Sequence, residues 1–173
     1  IGFIGQGSRM EYRNIQVTKL ASSFARDNSP PDPGFFNLYN GVNLTGWKGR
    51  LKDPNDNPSN RARLPALKLK QAQTEADAVM NGHWKSSEGV LTFDGKGSGL
   101  SSMDDYENFE LFLDWKIVDG AFAGILLRGC PLVQICDPFR PGTPETAVGS
   151  GGLRNNLKGV SKPTSLADRS TGQ

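Results

Sequence analysis

The chain has 173 residues, which is enough for one well-cored domain or for one domain with part of a second. Its 21 glycines and 11 prolines, with turn signals recurring along the chain, are typical of an all-β sandwich or barrel. The net charge is only +2 and no basic run is interleaved with aromatic residues, which argues against nucleic-acid binding. No apolar run reaches about 18–20 residues, which argues against a membrane span.

The first part of the chain predicts two short strands and then a linker. In the second strand, within residues 10–20, the parity of the apolar residues slips by one near Arg13-Asn14, and such a slip predicts a β-bulge. Residues 21–34 are rich in proline, which is typical of a linker between structural units.

The middle of the chain predicts an insertion, a helix and a hairpin. Residues 50–70 are basic and rich in proline and asparagine, which favours an irregular surface insertion. The stretch from Lys70 to Met80 has good helix formers and lacks glycine and proline, so we expect a short helix that stops at Asn81-Gly82. A turn at Glu88-Gly89 then predicts a hairpin.

The stretch from Asn108 to Asp137 carries the clearest strand pattern. Apolar and polar residues alternate from Phe109 to Ile117, and this period of two predicts a long strand with one apolar face. The residues 118–120 have the chemistry of a hairpin turn, and two further apolar runs follow them. We therefore predict three consecutive antiparallel strands at the centre of one sheet.

Five segments of the chain resemble one known family, the 3-keto-disaccharide hydrolase domain, a former domain of unknown function. In chain order the segments are FNLYNGVNLTGWKG, HWKSSEGVLTFDGKG, NFELFLDWKI, GAFAGILLRGCPLVQICDP and GSGGLRNN. The resemblance implies a concanavalin-like jelly roll, in which two antiparallel sheets form a sandwich and a concave face handles sugar. The predicted fold is thus an all-β jelly-roll β-sandwich with one short helix in an insertion.

The same resemblance suggests how the chain divides. Residues 1–20, IGFIGQGSRMEYRNIQVTKL, resemble the last segment of such domains. These strands are predicted either to end a preceding copy or to complete the sheet in a permuted order. Residues 35–173 are predicted to form the β-sandwich without its last strands, and other domains of the same tandem chain are expected partners.

Two residues are candidates for catalysis on a 3-keto sugar. Arg128 is predicted to end an otherwise apolar strand, and its guanidinium could polarise the ketone and stabilise an enolate. Asp137 closes the next run and is the candidate general base for the proton alpha to that ketone. The alternatives are structural, namely an ion pair of Arg128 with Asp137 or Asp114, or a turn cap by Asp137 before Pro138.

Further candidates for substrate binding are Gln134, Asp114, Glu110, Arg154 and Asn155. Gln134 lies across a turn from the catalytic candidate, whereas Arg154 and Asn155 belong to a glycine-rich loop expected to border the cleft. Glu110 and Asp114 share one face of a strand about 13 Å apart, which exceeds the ~6.5–9.5 Å of an inverting glycosidase pair. A solvated outer face is the alternative for these two carboxylates.

Cysteine and histidine usage gives no reason to expect a metal or cofactor. Cys130 and Cys136 are six residues apart with the same parity, so buried free thiols are expected rather than a disulfide. Two cysteines with the single His83 cannot build a standard zinc site. We predict no metal and no cofactor.

Three hypotheses about function remain open. The first is an enzyme that cleaves or hydrates 3-keto-glycosides by abstraction of an alpha proton. The second is a non-catalytic carbohydrate-binding or adhesive module on the same jelly roll, and a structural repeat in a surface assembly is a third. A carbohydrate is the expected partner in the first two, and the resemblance implies a periplasmic, cell-surface or secreted location.

Overall fold

The computed structural model describes residues 1–6, 9–19, 34–129, 131–138 and 149–154, together with Pro163, Ser165 and Asp168. These residues form ten strands and two helices. The strands are β1 (Gly2–Gln6), β2 (Met10–Lys19), β3 (Phe36–Asn37), β4 (Trp47–Gly49), β5 (Trp84–Ser87), β6 (Val90–Phe93), β7 (Leu100–Ser102), β8 (Phe109–Ile117), β9 (Phe122–Leu126) and β10 (Leu132–Cys136). The helices are α1 (Pro58–Arg61) and α2 (Ala66–His83).

The strands form two antiparallel sheets that enclose one core. Sheet A has the order β10–β9–β1–β7–β4. In sheet B, β2 pairs with β8 along its length and with β6 and β3 over different parts, and β5 pairs with β6. The core between the sheets includes Phe3, Leu100 and Ile125 from sheet A, and Tyr12 and Leu91 from sheet B. The predicted all-β sandwich is confirmed.

Strands β1 and β2 are interior strands of these sheets. β1 lies between β9 and β7, with Gly2 opposite Leu126 on one side and opposite Ser101 on the other. Among residues 21–34, the predicted linker, only Gly34 lies within the described residues. The division into residues 1–20 and residues 35–173 stays a prediction.

Two local features predicted from the sequence are confirmed. The pairing of β2 with β8 shifts register between Arg13 and Gln16, which is the expected β-bulge. Asn14 at the bulge has a positive φ of 52°, a conformation that asparagine adopts more readily than most residues. The β5–β6 hairpin turns at Glu88 and Gly89, which both have positive φ, as a tight hairpin turn of this kind requires.

The alternation within β8 is confirmed, but its predicted neighbours are wrong. Leu111 and Leu113 are partly buried against the core, whereas Phe112 between them is exposed. β8 pairs with β2 in sheet B, while β9 and β10 pair in sheet A. Residues 118–120 therefore connect the two sheets instead of closing a hairpin. A period of two determines which face of a strand is apolar and leaves its neighbour in the sheet undetermined.

The insertion is more regular than predicted. It contains α1, and α2 begins directly after Pro65, so the predicted helix is confirmed but is longer at both ends. The helix continues through Gly82, where an added Cβ would meet no atom outside the helix backbone within 4 Å, and ends at His83. α2 lies on β4, where a Cβ at Gly49 would overlap the carbonyl oxygen of Ala76. Within the described ranges, neither helix has the length and apolar character needed to cross a membrane.

Candidate functional site

The face of sheet A that points away from the core forms the floor of a cleft. Facing residues in neighbouring strands form one row across all five strands, and alternate residues of these strands belong to the core. Because side chains alternate between faces, this row points outward. The row consists of Leu132, Leu126, Gly2, Ser101 and Lys48. Gly2, at its centre, contributes no side chain and leaves the floor low.

The cleft above this row has a volume of about 510 Å³. One wall comes from the insertion, where Arg50 and Asp56 form a half-buried ion pair and where Arg61 lines the cleft. Pro58 of α1 lies against the β9–β10 turn, since a Cβ at Gly129 would come within 2.7 Å of the Pro58 Cγ. This contact fixes the insertion beside the turn, and the two together form a basic wall.

Arg128 lies in the β9–β10 turn and lines the cleft. It does not end a strand as predicted, because β9 stops at Leu126 and the Leu127 N–H donates to the Pro131 carbonyl oxygen at 3.0 Å, closing the turn. Its backbone has a positive φ of 53°, and its side chain is exposed. Within the described residues neither Arg128 nor Arg61 has a carboxylate within 4.0 Å.

The opposite wall is acidic. Asp105 and Glu107 line the cleft on either side of Tyr106, and both are exposed. The Tyr106 ring packs edge-on against Phe109 with a centroid separation of 6.0 Å. Burial, followed by the charge of Asp104, raises the pKa of the Tyr106 hydroxyl. The buried tyrosine thus anchors a segment that presents two carboxylates to the cleft.

Asp137 lies at the other end of the β9–β10 hairpin. Its Oδ2 accepts a hydrogen bond from the Gly120 N–H at 2.8 Å, and its own N–H donates to the Ala121 carbonyl oxygen at 3.2 Å. Ala121 and Leu126 are five residues apart on an extended segment, which separates the two ends by about 17 Å. The structure does not bring Asp137 and Arg128 together on one reacting group.

Gln134 and Cys136 belong to the Asp137 end of the hairpin. The buried Gln134 side chain donates from Nε2 to the Gly149 carbonyl oxygen at 3.0 Å. The glycine-rich segment Gly151–Arg154 is not a free loop, because its backbone is hydrogen-bonded along the outer edge of β10. Cys136 is a buried free thiol, as predicted, and burial, with the charges of two aspartates, raises its pKa to about 11. Cys130 lies outside the described residues.

The remaining substrate-binding candidates are dispersed. The Arg154 guanidinium lies 4.7 Å from the centroid of the Phe122 ring on the outward face of sheet A. Asn155 lies outside the described residues. Glu110 and Asp114 are exposed on the outer face of sheet B, where Asp114 accepts a hydrogen bond from the Asn14 Nδ2 at 2.7 Å. The outer face of sheet B is on the opposite side of the sandwich from the cleft.

The single histidine pairs with an aspartate away from the cleft. His83 Nδ1 lies 2.9 Å from Asp94 Oδ2, and both side chains are partly exposed. Among the residues that the structure describes, no three His, Cys, Asp or Glu side chains are grouped closely enough to hold a metal ion.

Residues 34–171 match the model of a family described as the 3-keto-alpha-glucoside-1,2-lyase-like domain. The chain belongs to this family. The match spans most of the 173 residues and confirms the family suggested by the five sequence segments. The name of this lyase-like family relates the domain to 3-keto-glycosides. Comparisons with curated proteins and with solved structures gave no match.

Sequence reasoning identified one of the charged residues of the cleft and missed the others. Lys48, Arg61 and the pair Asp105 and Glu107 come from three different segments and form no motif in the sequence. The acidic stretch around Tyr106 was the one local signal that could have indicated a polar wall. The charged residues of the floor and the two walls become neighbours only when β1 pairs with both β7 and β9.

Proposed function

We propose that this domain cleaves 3-keto-glycosides in the cleft on the outward face of sheet A. The observation that carries the proposal is the meeting of an exposed arginine, Arg128, with two exposed carboxylates, Asp105 and Glu107, around one polar cleft. A cleft of about 510 Å³ lies within the range of small-molecule sites and can hold a disaccharide-sized ligand. Membership of a family named for a 1,2-lyase activity on such sugars supports the same reaction class.

The reaction requires a base and a group that stabilises negative charge on oxygen. A carboxylate of the acidic wall removes the proton from C2 of the sugar, which the adjacent C3 ketone makes acidic. Arg128 donates hydrogen bonds to the C3 oxygen as it becomes an enolate. The electron pair then forms the C1–C2 double bond as the C1–O bond breaks, and the departing oxygen takes back from the carboxyl group the proton removed from C2 and leaves as the free alcohol.

Asp105 and Glu107 replace Asp137 as the proposed base because of where Arg128 lies. Asp137 accepts a hydrogen bond from the Gly120 N–H about 17 Å along the hairpin from the turn. A base must be within hydrogen-bond reach of the proton that it removes. Asp137 therefore cannot take the C2 proton of a sugar whose C3 oxygen is bound by Arg128. Asp137 therefore has a proposed structural role.

The test is release of 4-nitrophenol from a 3-keto-glucoside by the purified protein. We expect Arg128→Gln to lower kcat/KM by about 10²–10³-fold, the usual loss for one oxyanion-stabilising donor. Arg9→Gln is the matched control, because the exposed Arg9 pairs with Glu11 on sheet B. Asp105→Asn and Glu107→Gln, made separately, identify the base by a loss of about 10²–10⁴-fold in one of them. No release by the folded parent protein would rule out the enzyme.

A non-catalytic carbohydrate-binding module is the second candidate, and a different face favours it. On the outer face of sheet B, Phe112 is 49% exposed and its ring packs against Phe35 at a centroid distance of 5.0 Å. Asp114 and Glu110 flank Phe112 along β8, so flat apolar rings lie beside hydrogen-bond acceptors. Two results together would favour this function. The protein would bind an oligosaccharide less tightly after Phe112→Ala, and it would not cleave 3-keto-glucosides.

We also propose a periplasmic, cell-surface or secreted location, because the family is associated with the use of glycans. A fusion of the full-length protein to a compartment-sensitive reporter tests this. Activity of the reporter in the cytoplasm alone would contradict it.

A further inference from the structure

The insertion that forms one wall of the cleft concentrates positive charge. Residues 50–70 contain six Lys and Arg against two Asp, whereas the rest of the chain contains fourteen Lys and Arg against sixteen Asp and Glu. The segment is thus at +4 and the remainder at −2. Asp56, one of the two acids in the segment, is already neutralised by Arg50.

The fold directs part of this charge into the cleft. Pro58 packs on the β9–β10 turn, and Arg61 occupies the last turn of the same short helix. A hydrogen bond within the segment stabilises this arrangement, because Asn60 Nδ2 donates to the Pro54 carbonyl oxygen at 2.9 Å. As a result Arg61 lines the cleft on the same side as Arg128, and Lys48 lies in the floor between the walls.

We propose that the cleft takes an acidic glycoside, one whose sugar carries a carboxylate, and that Arg61 selects it. A planar guanidinium matches a carboxylate with two parallel hydrogen bonds, which a neutral hydroxymethyl group cannot reproduce. Within the described residues Arg61 has no carboxylate within 4.0 Å, so its fork is open to a ligand. This inference rests on the proposed function for the identity of the cleft.

The two walls of the cleft then act on the sugar carboxylate in opposite ways. The basic wall attracts the sugar carboxylate and orients the ring, while Asp105 and Glu107 on the acidic wall repel it and leave it one orientation. A cleft with charges of one sign along a wall raises the local concentration of an oppositely charged ligand. An acidic sugar therefore enters with its charged end at Arg61.

The test uses binding of unoxidised sugars, which cannot undergo the elimination and so report affinity alone. Titration calorimetry compares methyl α-glucuronide with methyl α-glucoside, for the parent protein, for Arg61→Gln and for Lys85→Gln. Lys85 is exposed on β5 in sheet B and provides the matched loss of one charge away from the cleft. We expect the glucuronide to bind about tenfold more tightly, a preference that Arg61→Gln lowers to about twofold and Lys85→Gln leaves unchanged.

Salt provides the second readout. The preference is expected to shrink between about 0.05 M and about 0.5 M salt, because partly exposed charges are screened over a shorter distance at higher ionic strength. Equal affinity for the two sugars, undetectable binding of the glucuronide, or a preference that Arg61→Gln leaves intact would overturn the inference. If the glucuronide binds with the expected preference but 3-keto-glucosides and 3-keto-glucuronides are not cleaved, the proposed reaction fails and the ligand class stands.

Discussion

The two ends of the β9–β10 hairpin hold charged side chains in opposite environments. Arg128 is exposed at a turn, lines a cleft, and within the described residues has no carboxylate within 4.0 Å. Asp137 is only 5% exposed and accepts a hydrogen bond from the backbone that links the two sheets. In the sequence both look like a charged residue that closes an apolar run. The exposed end leaves its charged side chain available to a ligand, whereas the buried end binds its charged side chain to the protein's own backbone.

The largest expected effect that sharpens this contrast concerns Cys136, next to Asp137. A thiol whose pKa is raised to about 11 from 9.0 has roughly a hundredfold less thiolate near pH 8. In a Cys130→Ala background we expect iodoacetamide to modify the folded protein about a hundredfold more slowly than the unfolded protein, measured by mass spectrometry. Similar rates in the two states would show that this end of the hairpin is open.

The same thiol gives a pH dependence with a defined sign. Because its folded-state pKa is raised, Cys136 adds stability that is fully present below the unfolded value of 9.0 and is lost as the pH rises toward about 11. In the Cys130→Ala background the unfolding midpoint in denaturant should therefore fall over this window. Cys136→Ala in the same background is the control, since it should remove that part of the decline.

The next effect concerns Asp137 itself. Asp137→Ala leaves the partly buried Gly120 N–H without this acceptor, so we expect the free energy of unfolding to fall by about 2 kcal/mol. Asp137→Asn retains an acceptor oxygen and should lose about half as much. Urea unfolding measures both. If Asp137→Asn keeps its stability but loses cleavage of a 3-keto-glucoside, Asp137 is the general base and the contrast between the two ends is broken.

The smallest effect concerns the backbone at Arg128. Its φ of 53° is unfavourable for most residues but not for glycine, so Arg128→Gly should leave the free energy of unfolding unchanged or raise it by less than about 1 kcal/mol. Cleavage should be lost in the same variant. A clear loss of stability would mean that the Arg128 side chain supports the turn, in the way that Asp137 supports its own end.

The sequence allowed prediction of features that depend on neighbours along the chain. The alternation in β8, the bulge at Asn14 and the turn at Glu88-Gly89 follow from parity and from the conformations that single residues tolerate. The family and its sandwich were recognised from short segments in order. Such features need no knowledge of distant contacts.

What could not be predicted depends on contacts between distant segments. β8 was assigned to the wrong sheet because its apolar face fits either layer, and its actual partner β2 lies about a hundred residues earlier. The cleft depends on β1, which places Gly2 between Ser101 and Leu126 and so brings Lys48 to the same floor as the β9–β10 turn. The burial of Asp137 could not be predicted either, because it depends on the distant backbone around Gly120, and its role as a base stays a prediction.

The interior position of β1 also affects how the protein is made. During synthesis Gly2 emerges well before its partner Leu126, which is 124 positions later. At about 5–20 residues per second, the ribosome needs roughly 6–25 s to produce that partner. Throughout this interval β1 has its backbone groups unpaired on the side that β9 will occupy, and pairing over such a separation is slow. We expect the nascent chain to rely on chaperones that bind extended apolar segments. The yield of folded protein should fall when nascent chains are produced faster than chaperones are available to bind them.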